Sequence, residues 1–144
     1  MKPQVSRIEN YPEVAARLEQ HIEETKGQIR RIDEILTGLD ASSSTMKDAA
    51  LFSFMGTTAA VGHTVAPDEI LKNSLANFAF ENYEIAAYTS LLALAEASGE
   101  SRIVSALQQN LAEERAMAEW LEMHLPEVTL RYAGLREAGH TAKV

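Results

Sequence analysis

Residues 81–88, Glu81-Asn82-Tyr83-Glu84-Ile85-Ala86-Ala87-Tyr88, decide how this chain is read. They lie midway in a run from about Pro67 to Ser98 whose residue types and spacing predict a helix. On a helix, Asn77, Glu81, Glu84 and Tyr88 fall into one polar stripe, beside an apolar stripe of Leu71, Leu75, Phe78, Ile85 and Leu92. Carboxylates avoid burial unless they are paired, protonated or bound to metal. Two acids and a phenol beside a core face therefore imply either a metal site or a wet seam between helices.

The pattern continues on both sides of this helix. Upstream, Pro12 has its φ preset for a first helical turn and Glu13 complements the positive helix end, so a helix is predicted from Asn10-Tyr11-Pro12-Glu13 to Thr37-Gly38. Its bundle seam reads Val14, Leu18, Ile22, Thr25, Ile29, Ile32 and Leu36, in alternating steps of four and three. Asp40 to Thr45 is a polar linker in which Ser42-Ser43-Ser44 can cap the next helix, Met46 to Val61, which is apolar on most sides. Gly62 to Pro67 makes the turn into the central helix.

Downstream, Ser98-Gly99 predicts a tight connection and an antiparallel partner from about Ser101 to His124. Its seam runs through Ile103, Leu107, Leu111, Ala118, Leu121 and Leu125, with Glu114 at a position where an apolar residue belongs. Leu125-Pro126 predicts a break, followed by a short extra C-terminal helix over Glu127–Glu137. The expectation is an all-α, single-domain protein over residues 1–144, an antiparallel four-helix bundle with that short helix appended.

Composition agrees. Hydrophobic residues make up 46% and aromatics 6%, with seven Gly and four Pro, which favours helix over strand. A formal charge of −8 leaves no clustered Lys and Arg for a nucleic-acid backbone, and it suits a protein that attracts cations. The absence of cysteine excludes disulfides, thiolate metal sites and thiol nucleophiles. No run is apolar enough for a signal peptide or a membrane span, so the expected location is the cytoplasm.

A dinuclear carboxylate site in a helical bundle takes single Glu residues from two helices and Glu-x-x-His from the others, because three-residue spacing aims both groups at one spot. Such ligands suit iron or manganese. Glu24, Glu84 and Glu114 supply one acid per helix, and Glu81 lies one turn before Glu84. No Glu-x-x-His occurs among them: Gly27 follows Glu24, Ala87 follows Glu84 and Met117 follows Glu114, while His21 precedes Glu24 in reversed order. His63, His124 and His140 read as caps or surface residues, Met117, Trp120 and Met123 as packing residues, and Arg30-Arg31 as a solvated pair. On spacing alone, a hydrated seam of acids remains the simpler account.

Three blocks together, His21 to Ile32, Glu81 to Tyr88 and Leu111 to Glu114, resemble the signature of the YciE/YciF ferritin-like family of bacterial stress-associated proteins. The resemblance spans roughly Pro12 to Leu125, and its most specific part is His21-Ile22-Glu23-Glu24-Thr25-Lys26-Gly27-Gln28. It implies a ferritin-like bundle, a homodimer or higher homo-oligomer, and a dinuclear iron centre. It also implies Glu24, Glu84 and Glu114 as ligands, with Glu81, His21 and Gln28 beside them. The chain departs from the family at Lys26 and Asn82, where His is common. The family begins with a long helix carrying another acid, of which Met1 to Asn10 are expected to be only the last turns, so that one wall of the site would fall to residues 46–61 or to a second subunit. The alternative is a metal-free structural protein of the same fold.

Overall fold

The computed structural model describes residues 2–39 and 66–144. These form α1 (Lys2–Val5), α2 (Pro12–Gly38), α3 (Glu69–Ala97) and α4 (Ser101–Glu137), with no strand among the described residues. The helix expected over Met46–Val61, the Ser42-Ser43-Ser44 cap and His63 lie outside them.

Pro12 opens α2 as its sequence predicts, and α3 begins and ends within about two residues of the predicted bounds. Both α3 and α4 stop at a glycine with φ of 74°, Gly99 and Gly139, a left-handed conformation that costs glycine little. In each case two amide N–H groups turn back onto the last helical carbonyls: Gly99 to Glu96 and Glu100 to Ala95, then Gly139 to Arg136 and His140 to Leu135. The first of these turns folds α4 antiparallel onto α3.

The C-terminal part of the chain corrects the sequence reading. No separate short helix follows Pro126, because α4 runs unbroken from Ser101 to Glu137 with the proline inside it. Proline removes one backbone donor and crowds the preceding turn. Val128 is buried, and Tyr132 and Leu135 pack beside it against Tyr11, Val14 and Leu18, so the second half of α4 forms part of the main core. That burial outweighs the lost hydrogen bond.

The core, Tyr11, Val14, Leu18, Ile70, Met117, Leu121 and Val128, gathers where α2 and α3 begin and α4 nears its end. Contacts between α2 and α3 advance together, His21 beside Glu81 and Gln28 beside Tyr88, so these helices run parallel, with α4 antiparallel to both. The expected seams are shifted by about one position. Ile29 is 56% exposed and Leu75 54%, while His21, Gln28, Asn73, Asn77 and Glu81 face inward. The inner surface above the core is therefore largely polar.

Two terminal segments close the core end. The Gln4 side chain exchanges hydrogen bonds with Asn77, which brings α1 onto α3. After Gly139 the chain lies across the starts of α2 and α3. There Asn10 Nδ2 donates to Thr141 O (3.0 Å), Tyr11 Oη to Ala142 O (2.8 Å), Ile70 N to Lys143 O (2.9 Å) and Asn10 N to Val144 O (3.1 Å). Beneath this strap the buried Glu69 carboxylate pairs with Arg7, and Lys143 Nζ lies 3.4 Å from its Oε2.

Candidate metal centre

One layer above the core, each long helix contributes a buried group to one spot. His21 comes from α2, Glu81 from α3 and Glu114 from α4, each with a ligating atom within 4.8 Å of the other two. All three are sealed from solvent, His21 and Glu114 at 1% exposure and Glu81 at 0%. His21 Nε2 is 3.2 Å from Glu81 Oε2 and 3.8 Å from Glu114 Oε2. Neither approach forms a hydrogen bond. Both oxygens of Glu81 and Oε2 of Glu114 are left without a donor, which costs free energy in an interior of low dielectric.

The ionisation of these groups reflects this crowding. Burial opposes a charge on His21, but the contact with Glu81 and the nearby Glu24 and Glu114 outweigh it and raise its pKa to about 9. Glu114 is pushed well above the usual carboxylate range, first by burial and then by Glu81, with His21 and Gln28 acting in the opposite sense. Burial and the charge of Glu114 raise Glu84 to about 7.

Glu24 stands one step back from the cluster. Its Oε2 lies 2.9 Å from His21 Nδ1, and the same carboxylate takes hydrogen bonds from Arg17 (3.1 Å) and Gln20 (2.7 Å). Burial opposes its ionisation, and these bonds lower its pKa despite that. A carboxylate behind one imidazole nitrogen orients the ring so that the other nitrogen faces the site. Of the residues expected at the site, His21, Glu81 and Glu114 converge. Glu84 borders Glu114, Gln28 lies buried against it, and Glu24 supports the histidine. Lys26 and Asn82 point outward, Lys26 to Glu23 and Asn82 to the carbonyl of Phe78.

Sequence reasoning missed one part of the surroundings. Arg31 is no solvated residue: it donates to Asn110 Oδ1 and pairs with Glu113. Asn110, fully buried, donates to Tyr88 Oη at 3.0 Å, and Tyr88 donates to Gln28 Oε1 at 3.1 Å. The available signal was the register: Asn110 lies one turn before Glu114, and Arg31 one turn after Gln28. His124, read as a cap or surface residue, lies inside α4, half-buried and stacked on Trp120 with ring centroids 4.0 Å apart.

An acid cluster of this kind on three long helices is found in a chain that belongs to the family described as Domain of unknown function (DUF892), matched over residues 1–134. Its relatives include Protein YciF of Escherichia coli (strain K12), 33% identical over 99 residues, which cover 67% of this chain and 60% of that protein. The chain thus spans about three-fifths of that relative's length. A protein of Xanthomonas campestris pv. campestris str. ATCC 33913, known from its crystal structure, is similar in fold, with a TM-score of 0.76 and 31% identity over 92% of this chain and 80% of that one. The YciE/YciF resemblance read from the residues is therefore shown. No helix among the described residues is long and apolar enough to cross a membrane.

Proposed function

We propose that this protein is a ferritin-like helical bundle that binds iron or manganese between His21, Glu81 and Glu114. The observation that carries the reading is the trio of buried carboxylate oxygens without donors, Oε1 and Oε2 of Glu81 and Oε2 of Glu114, facing an imidazole nitrogen. Oxygen and imidazole donors suit those metals. When bound, the metal would supply Lewis-acid and redox chemistry in a site closed to bulk water. The protein's own groups prepare for it. Glu24 accepts from Nδ1 of His21 and leaves Nε2 for the metal. Glu81 and Glu114 supply negative charge, and Glu84, with its pKa near 7, can give up a proton as positive charge arrives. Homo-oligomeric assembly and an association with stress belong to the same proposal, on the strength of the family.

One observation favours a second reading. His21 carries a proton at neutral pH and lies 3.2 Å from Glu81, so the cluster can also neutralise itself as a buried ion group fastening α2 to the α3–α4 hairpin. Elemental analysis of protein purified without a metal-binding tag, followed by anaerobic titration with ferrous and manganous ions, separates the two. Uptake that Glu81→Gln abolishes is the expected result. A wild-type protein that takes up neither ion leaves the structural reading standing. Its mass in solution tests the assembly.

A further inference from the structure

The donor set of the candidate centre is smaller than a dinuclear site requires. Such a site in a helical bundle draws on about six residues, four Glu and two His. Among the described residues a single group converges, made of one imidazole, His21, and two carboxylates, Glu81 and Glu114. Glu84 adds a third carboxylate at the border of Glu114. Lys26 and Asn82, where the resemblance expects histidine, turn away to Glu23 and to the Phe78 carbonyl. Glu24 is withheld as well. Its Oε1 accepts from Gln20 (2.7 Å), and its Oε2 accepts from Arg17 (3.1 Å) and meets His21 Nδ1 at 2.9 Å. The Arg17 guanidinium balances its charge and is itself largely buried. To bind a metal, Glu24 must give up this ion pair and the contact that orients His21.

What remains has the dimensions of one ion. Bonds of about 2.1 Å place neighbouring donors of an octahedral ion about 3 Å apart and opposite donors about 4 Å apart. Glu81 Oε2 and Glu114 Oε2 lie 3.2 Å and 3.8 Å from His21 Nε2. Two ions about 3.5–4 Å apart would spread their outer donors much further. The oxygens without donors, both of Glu81 and one of Glu114, all belong to this compact group. We infer that each chain binds a single metal ion through His21, Glu81 and Glu114, and that Glu24 is a positioning residue for His21 rather than a ligand. The inference rests on the metal reading above and narrows it to one ion where the resemblance implies two.

Manganous and ferrous ions serve as the probes. Tag-free protein stripped with a chelator is dialysed anaerobically against each ion, and the metal bound per chain is measured. The manganese samples are also examined by electron paramagnetic resonance. The expected result is one ion per chain, with the hyperfine pattern of isolated manganese. Two ions per chain, with the spectrum of a spin-coupled pair, overturn the inference and leave metal binding standing. Glu24→Gln, which can still accept from His21, is expected to keep its ion at an affinity within about threefold of wild type, and Glu24→Leu to bind about 10–100-fold more weakly. Loss of the ion in Glu24→Gln as severe as in Glu24→Leu overturns the positioning role. If either variant fails to fold, the wild-type count and spectrum decide. Wild-type protein that takes up neither ion overturns both this inference and the function on which it rests.

Discussion

His21 is the only base among the acids of the cluster, and its proton couples the site to the stability of the fold. A group whose pKa rises from the usual 6.5 to about 9 on folding stabilises the protein fully below pH 6.5, and that contribution is lost as pH climbs through 9. Glu84, raised from 4.5 to about 7, acts in the same sense, since its charged form is disfavoured in the folded state. Metal-free protein should therefore lose stability between pH 5 and pH 9. Urea denaturation at several pH values checks this, and rising stability over that interval would contradict it. Metal affinity should run the other way, strengthening with pH as ligands lose protons. Glu114→Leu follows from the same crowding. It removes one of several acids facing a single histidine, so it should abolish metal uptake while leaving the metal-free fold unchanged or about 1–3 kcal/mol more stable in thermal unfolding.

The helices themselves were legible, and the direction in which each faces was less so. Capping and turn residues placed the bounds of α2 and the Gly99 hairpin closely, because Pro12 and Gly99 act through local backbone geometry. The inward faces of α2 and α3 were harder to read. A search for apolar periodicity passes over an inner surface made of His21, Gln28, Asn77 and Glu81, and it assigned Ile29 and Leu75 to a core they do not join. Glu114 was found because it interrupts an otherwise apolar seam. Asn110 and Arg31 were missed, since their role depends on partners from other helices. Pro126 misled for a related reason: the proline is visible locally, whereas the packing that carries α4 past it is not. Pro126→Ala should restore the helical donor and stabilise the protein by about 1–3 kcal/mol in chemical denaturation. A loss of stability would mean that the proline shapes the helix for packing.

At the level of the whole molecule, the terminal segments hold the ends of the bundle together. Glu69, buried at the start of α3, is met by Arg7 from one end of the chain and Lys143 from the other. Glu69→Gln should cost about 2 kcal/mol, less than for a fully buried pair because both cations are partly exposed. Tyr11→Phe, which deprives the Ala142 carbonyl of its donor, should cost about 1 kcal/mol. Equilibrium denaturation measures both. The strap over residues 141–144 has a further consequence for the timing of synthesis. A ribosome makes these residues after every element they fasten, when α2 and α3 have already emerged. The nascent chain can thus form its hairpin early, but the donors of Asn10, Tyr11 and Ile70 wait until residues 141–144 emerge, so the core end closes only after α4 has been made.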